Sequence, residues 1–174
     1  MHQLLLLRHA KSALDDAVAP DRDRALTPRG RRDALFLRQA MRDFGLAPDV
    51  VLVSTARRTL ETLAALEPWD DTPLIEPMDT LYLASGAGLL AALRDVAETV
   101  RAVLLIGHNP GLHQLASDLT DRRASAAPLV EAVESGFPTA TLAEFAFAGP
   151  WFRLDHGGAR LLRIVAPKRG KERD

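Results

Sequence analysis

The stretch that decides the fold is LLLLRHAKS, residues 4–12, an apolar run that ends abruptly in Arg8 and His9. Four consecutive leucines predict a strand that is buried on both of its faces. In open α/β sheets, ligands bind at the carboxyl ends of the strands. The sequence therefore predicts a cation and a potential nucleophile, held rigidly at such a strand end.

A second apolar run ends in the same way. Residues 103–106, VLLI, are followed by GHNPG at residues 107–111, so a second histidine also follows a predicted strand. Residues 50–53 predict a further short strand, and Arg58 comes shortly after its end. Because the carboxyl ends of parallel strands meet at one edge of a sheet, we expect the two histidines to form one site with Arg58 beside it.

The rest of the chain alternates strand and helix signals, which is typical of an α/β fold with a mainly parallel sheet. Strands are predicted over residues 2–7, 50–53, 103–106, 143–147 and 160–165, with short extended segments at Leu74-Ile75 and Leu81-Tyr82. Helices are predicted after the N-cap and first-turn pair Thr27-Pro28, over residues 59–66, over the segment that carries Leu89 to Val100, and after Pro110.

Length, charge and composition limit the classes of function. A chain of 174 residues that is 47% hydrophobic predicts one domain, over residues 1–167, with a solvated charged tail at 168–174. With 22 basic and 23 acidic residues, no long-range attraction to nucleic acid is expected. The absence of cysteine excludes disulfides and thiolate chemistry, and a cytoplasmic location is expected. Residues 4–7 are too short to span a membrane, so no membrane association is expected.

The residues at the strand ends predict phosphate chemistry. Guanidinium groups fork onto phosphate oxygens, so Arg8 and Arg58 would together bind a group the size of a phosphomonoester. Neighbouring cations disfavour protonation of His9, which leaves its imidazole neutral and able to attack phosphorus. We expect His108 to hydrogen-bond the transferring oxygens and, as an imidazolium, to neutralise their charge. In this interpretation positioned cations take the place of a metal, and no cofactor is expected.

Each of these residues also has a simpler explanation. Arginines commonly pair with carboxylates, histidines often lie at the edge of a core, and only their joint occurrence favours a site. For Lys11 and Asn109, contact with substrate and a solvated loop position are equally open. The remaining histidines, His2, His113 and His156, are interpreted as structural. The acidic series Asp15, Asp16, Asp21 and Asp23 lacks the spacing of a calcium loop and is interpreted as a solvated loop.

Four motifs together resemble the histidine phosphatase superfamily, and the compact length is similar to its SixA-type branch of phosphohistidine phosphatases. The motifs are LRHA at residues 7–10, DRDRALTPRG at 21–30, STARRTLET at 54–62 and GHNPG at 107–111. The resemblance covers residues 4 to about 115 and implies a three-layer α/β/α sandwich. It also implies a covalent phosphohistidine on His9, with Arg8, Arg58 and His108 completing a phosphate pocket that needs no metal.

Two positions depart from the family pattern, and one functional group is left unassigned. Ala10 stands where glycine is usual, which adds a methyl group beside the pocket, and Glu61 stands where glutamine is common. Larger members supply a general acid from an inserted segment, whereas the corresponding stretch here offers only Glu76 and Asp79. Nothing in the sequence directs either side chain inward, so the acid is not assigned.

The short connection between residues 66 and 89 favours a protein substrate, because it would leave the pocket open to a protein surface. A phosphoramidate is already labile once its nitrogen is protonated, so phosphohistidine could be cleaved without a strong acid. A broad phosphomonoesterase that acts on small molecules with the same pocket stays open as an alternative. So does a non-catalytic module that binds phosphoproteins.

Overall fold

The structure, a computed structural model, describes residues 1–14 and 19–168. The predicted loop residues Asp15 and Asp16, and the tail from residue 169 onward, lie outside the described residues. The described strands are β1 His2–Arg8, β2 Val50–Ser54, β3 Leu74–Met78, β4 Ala102–Gly107, β5 Leu142–Phe147 and β6 Arg160–Val165. The helices are α1 Pro28–Asp43, α2 Arg57–Leu66, α3 Gly86–Arg94, α4 Gly111–Leu119 and α5 Ala127–Ser135, with 3-10 turns at Asp21–Asp23, Asp79–Leu81 and Trp151–Arg153.

The six strands form one sheet in the order β3-β2-β4-β1-β5-β6. β3, β2, β4 and β1 are mutually parallel, and β5 runs antiparallel to both β1 and β6. The predicted α/β class with a mainly parallel sheet is confirmed. In the register of β1 with β4, Arg8 lies opposite Gly107, while Val53 of β2 lies opposite Ile106. The carboxyl ends of these three strands are therefore level.

The leucine run of β1 joins two apolar clusters, one on each face of the sheet. Leu4 and Leu6 pack with residues of α3, α4 and α5, whereas Leu5 and Leu7 pack with residues of α1 and α2. Successive side chains of a strand point to opposite faces, so a strand that is covered on both sides must be apolar throughout. Each fully buried leucine contributes roughly 1.5–3 kcal/mol of stability. The implied three-layer sandwich is confirmed.

Several local predictions differ from the structure. Leu81-Tyr82 was predicted as extended, which is wrong: Leu81 ends a 3-10 turn, closed by the hydrogen bond from Tyr82 N to Asp79 O. The helix predicted to reach Val100 ends at Arg94, and Val100 packs against the core from the following loop. Helix α5 was not predicted, although Pro128 in its first turn is a helix-start signal.

The start of α1 is attached to the chain that follows β1. Thr27 caps the helix as predicted, accepting a hydrogen bond from Gly30 N at 3.0 Å. Its backbone N and its Oγ1 both donate to the carbonyl of Lys11, at 2.9 and 3.2 Å. A Cβ at Gly30 would lie 2.1 Å from that same carbonyl oxygen. Glycine at this position therefore allows α1 to hold the segment directly after His9.

We expect Gly30→Ala to lower the melting temperature, because the new methyl group would have to displace the Lys11 backbone or the helix. Overpacking of this kind costs about 1–3 kcal/mol, and each kcal/mol lowers the melting temperature by about 2–4 °C in a chain of this size. The control is Gly149→Ala, where a Cβ meets no atom within 4 Å. Calorimetry of both variants checks the difference, and equal melting temperatures would contradict the close contact.

Candidate active site

The ends of β1, β2 and β4 bring the four predicted residues to one cavity of about 490 Å³. Arg8 ends β1 and His9 follows it, with His9 N donating to Gly107 O at 3.2 Å. The ring centroids of His9 and His108 lie 5.3 Å apart, and Nη2 of Arg58 lies 3.2 Å from Nδ1 of His108. Arg8, His9, Arg58 and His108 all line the cavity, so the predicted residues do come together.

The tautomer of His9 follows from its hydrogen bond. Its Nδ1 lies 2.7 Å from the carbonyl oxygen of Ala10, which can only accept, so Nδ1 carries the proton and Nε2 keeps its lone pair. Burial lowers the pKa of His9 to about 4, assisted by the positive charges of Arg58, Arg8 and Arg24 and only partly opposed by the Ala10 hydrogen bond. His9 is therefore neutral at physiological pH, with Nε2 as its unprotonated nitrogen.

His108 has the opposite tautomer. Its Nδ1 accepts from Arg58, so Nε2 carries the proton and donates to Ser54 Oγ at 2.7 Å. Burial lowers the pKa of His108 to about 3, and the nearby Arg58 charge acts in the same direction. His108 is therefore neutral in its resting form, and not the expected imidazolium. The permanent positive charge of the site belongs to the arginines instead.

Arg58 is buried in the first turn of α2, with only 1% of its surface exposed. Its Nη1 donates to the backbone carbonyl of Asp21 at 2.8 Å, and its Nη2 contacts Asp21 Oδ2 at 3.2 Å. Thr62 links this helix to the nucleophile segment, because its Oγ1 accepts from Ala10 N at 3.0 Å and donates to Arg58 O at 2.7 Å. These bonds hold Arg58 and His9 in fixed relative positions.

The two loop residues whose environment the sequence left open, Lys11 and Asn109, both line the cavity. Asn109 Nδ2 donates to the carbonyl of Phe137 at 2.8 Å, and Nη1 of Arg8 donates to the same carbonyl at 3.0 Å. Asn109 is thus held in the cavity wall beside Arg8. The positions of Lys11 and Asn109 are compatible with contact to a bound molecule.

The two departures from the family pattern have defined surroundings. Ala10 is fully buried and its methyl group belongs to the cluster under α1 and α2. Glu61 on α2 accepts from the backbone N of Leu26 at 2.7 Å and from Arg57 Nε at 2.8 Å. The Glu61 side chain therefore connects α2 to the chain before α1.

Three residues that the sequence analysis did not assign to the site contact its members. Ser54 bonds His108, the rings of Tyr82 and His108 lie nearly perpendicular at a centroid distance of 5.5 Å, and Asp21 contacts Arg58. The hydrogen bond from Tyr82, followed by the charge of Arg58, lowers the pKa of Asp21 to about 2. Asp21 lies in the 21–30 motif, which was a signal for its importance, whereas nothing in the sequence singles out Tyr82.

Neither acidic residue of the middle segment lines the cavity. Glu76 is exposed on β3, which is an edge strand of the sheet. Asp79 is exposed and bonds Thr55 and Arg22, and these two contacts lower the pKa of its carboxyl. An ionised carboxylate outside the cavity does not serve as a general acid there.

The histidines interpreted as structural lie away from the cavity. His2 bonds Gly149 O at 2.9 Å and stacks on Phe147, and His113 bonds Val133 O at 2.7 Å. His156 is exposed.

Within residues 1–14 and 19–168, no three His, Asp or Glu side chains gather as a possible metal site. No helix in the described part of the chain is long and apolar enough to cross a membrane.

Comparison with known proteins identifies similar chains. Residues 4–78 match the family described as the histidine phosphatase superfamily, branch 1. An uncharacterised protein of Mycobacterium tuberculosis, Rv1276c, is 35% identical over 93% of this chain and 100% of its own. The structure provisionally named phosphohistidine phosphatase SixA of Nakamurella multipartitia has a TM-score of 0.82 and 31% identity, covering 95% of this chain and 96% of that one. The structure that carries the same provisional name from Agrobacterium tumefaciens has a TM-score of 0.81 and 30% identity. It covers 95% of this chain and 98% of its own.

We expect the two cavity histidines to remain neutral well below the ordinary histidine pKa of about 6.5. Protonation should occur near pH 4 for His9 and near pH 3 for His108, so lowering the pH from 7 to 5 leaves His9 able to attack. Ring-proton NMR between pH 3 and 8 measures this directly, with His9→Gln and His108→Gln used to assign the signals. Titration of either ring between pH 6 and 7 would contradict the conclusion that burial lowers the pKa of both histidines.

Proposed function

The chain belongs to the histidine phosphatase superfamily, and on that basis we propose that it removes phosphate from phosphohistidine in a protein, through a covalent phosphohistidine on His9. The observation that carries this proposal is the convergence of a neutral His9 with Arg8, Arg58 and His108 in one cavity. The names of the two similar solved structures support the choice of substrate.

In the first step, Nε2 of His9 attacks phosphorus while the bond to the leaving group breaks. Arg8 and Arg58 hold the phosphoryl oxygens, and Nε2–H of His108 is shared between Ser54 and those oxygens. His9 becomes a phosphoimidazolium, because Nδ1 keeps its proton. The carbonyl of Ala10, 2.7 Å from Nδ1, stabilises this positive charge. The transition state is loose, so positioning and fixed charge supply most of the catalysis.

In the second step, water attacks the phosphorus of the phosphoenzyme. The bond between phosphorus and Nε2 of His9 breaks, and its electron pair returns to Nε2. The products are dihydrogen phosphate and neutral His9, which still carries its proton on Nδ1. No proton has to be supplied by the protein, so the resting tautomer is restored directly.

The cavity favours a nitrogen leaving group over an alcohol. An alkoxide needs a proton from a general acid as it departs. Of the two carboxylates that line the cavity among the described residues, Asp21 is ionised and Asp33 lies 3.9 Å from the guanidinium of Arg29, while Glu76 and Asp79 lie outside the cavity. A protonated phosphoramidate needs no such acid, because its leaving nitrogen departs as a neutral group.

Lys11 and Asn109 are proposed to contact the substrate beyond the phosphoryl group, since both line the same cavity.

We expect His9→Ala to abolish turnover and to form no acid-labile phosphoenzyme, because no other group replaces the attacking nitrogen. The loss should be about 10³-fold or more, as for other covalent nucleophiles. Rapid quenching with a labelled substrate measures both quantities. His156→Ala, which changes an exposed histidine outside the cavity, should retain full activity. Full activity of His9→Ala would refute the assignment.

The substrate class is tested by a panel. A protein that carries phosphohistidine should give a higher kcat/KM than alkyl or aryl phosphates at matched conditions. A preference for small phosphomonoesters would favour the alternative enzyme, for which the cavity of about 490 Å³ has room. Stoichiometric phosphate binding without hydrolysis would favour a non-catalytic phosphoprotein-binding module.

We propose that the reaction needs no metal, because the two arginines supply the positive charge. Activity should be unchanged after treatment with EDTA. A loss that zinc or magnesium restores would contradict this and would favour a metallohydrolase that uses His9 and His108 as ligands.

A further inference from the structure

A negative charge lies in the wall of a cavity that is otherwise rich in positive charge. Of the described residues, Asp21 and Asp33 are the two carboxylates that line the cavity, and Asp33 lies 3.9 Å from Arg29. The Asp21 side chain stays 47% exposed, although it is held at several points. Its carboxylate is therefore accessible to a bound molecule. The cations that line the same cavity are Arg8, Lys11, Arg24, Arg29 and Arg58.

Asp21 lies next to the proposed phosphate pocket. Its Oδ2 is 3.2 Å from Nη2 of Arg58, and this nitrogen is also 3.2 Å from Nδ1 of His108. Tyr82 donates its hydroxyl to the same Oδ2, while Arg24 Nε donates to Oδ1 at 2.9 Å. One guanidinium group thus separates the carboxylate from the histidine pair. The position of the Asp21 carboxylate is set by contacts from three different segments of the chain.

Asp21 cannot act as a general acid. The Tyr82 hydrogen bond and the Arg58 charge hold its pKa near 2, so the carboxyl has no proton to donate at physiological pH. A fixed carboxylate can instead accept a hydrogen bond and attract positive charge. It repels any second anionic group of a substrate. The leaving group that suits this position is one that carries an N–H and a positive charge.

We propose that Asp21 determines specificity for phosphohistidine by accepting a hydrogen bond from the distal N–H of the substrate imidazole and keeping that ring protonated during transfer. This inference rests on the proposed function. The bond from phosphorus to the proximal substrate nitrogen breaks, and its electron pair stays on that nitrogen. The new bond forms at Nε2 of His9. The leaving imidazole departs neutral and keeps its distal proton, so the step needs no proton from the enzyme.

The size of the effect of Asp21 follows from the attraction between its carboxylate and the protonated imidazole of the substrate. An opposite charge within about 4–6 Å raises the pKa of a cationic group by about 1–3 units. Since the ordinary pKa of imidazole is about 6.5, the carboxylate matters most above that pH and little below it. Within residues 1–14 and 19–168, the other charged or titratable groups that face Asp21 are Arg24, Arg58 and Tyr82, with Arg22 over the Tyr82 ring and His108 behind Arg58.

The test compares Asp21→Asn with Asp23→Asn. Both variants remove one negative charge from the same 3-10 turn, but Asp23 is exposed and does not line the cavity. The substrates are a protein that carries phosphohistidine and an aryl phosphate, whose phenolate leaves without a proton. Values of kcat/KM are measured at pH 5 and pH 8, after subtraction of the rate without enzyme. Inhibition by inorganic phosphate reports whether Arg58 is still held correctly.

For Asp21→Asn, we expect the ratio of phosphohistidine to aryl phosphate activity to fall about tenfold or more at pH 8. The fall should be much smaller at pH 5, where the substrate imidazole is protonated without assistance. Asp23→Asn should leave the ratio unchanged at both pH values. Inhibition of Asp21→Asn by inorganic phosphate should be no weaker than that of the wild type, because the backbone carbonyl at position 21 still accepts from Arg58 and one negative charge beside the pocket is gone.

Two results would overturn the inference. An unchanged ratio at pH 8 would mean that Asp21 does not act on the leaving group. An equal loss on both substrates at both pH values, with weakened inhibition by phosphate, would mean that Asp21 only holds Arg58. Failure of the proposed function is a separate result, because the wild type itself would then not hydrolyse phosphohistidine.

Discussion

Parallel pairing of β1 with β4, and of β4 with β2, is the constraint on which the site depends. The register places Arg8 opposite Gly107 and Val53 opposite Ile106, so three chain segments leave the sheet at the same level. His9, His108 and the first turn of α2 therefore converge without any long loop to position them. Backbone hydrogen bonds fix this arrangement, and the apolar layers on both faces of the sheet keep it rigid.

Burial affects the charge of the imidazoles and of the guanidinium groups in different ways. Desolvation lowers the pKa of both imidazoles, whereas a guanidinium keeps its charge even when it is buried. The hydrogen-bond partners select opposite tautomers, since Ala10 offers His9 a carbonyl and Arg58 offers His108 a donor. The imidazole of His9 is thus suited to attack, and that of His108 is suited to donate a hydrogen bond. The positive charge beside the two imidazoles comes from Arg8 and Arg58, and not from the imidazoles themselves.

The segment at residues 21–30 links the site to the fold at three points. Asp21 contacts Arg58, Arg24 bonds Ser12 and the carbonyl of Ala13, and Thr27 bonds the carbonyl of Lys11. Each contact reaches a residue that either forms the cavity or adjoins the nucleophile segment. A single short stretch therefore positions both the buried arginine and the chain after His9. It also contributes Asp21, a carboxylate that lines the cavity and contacts Arg58.

The sequence by itself determined the fold class and the convergence of Arg8, His9, Arg58 and His108, because both follow from local patterns: apolar runs long enough for buried strands, three of which have a functional residue at their end or shortly after it. The tertiary structure alone decided the charge of His108, the contact of Asp21 with Arg58, and the turn that replaces an extended Leu81-Tyr82. These depend on burial and on partners far away in the chain. A local pattern of residues does not encode the desolvation of an imidazole or the neighbour that a loop carboxylate meets after folding.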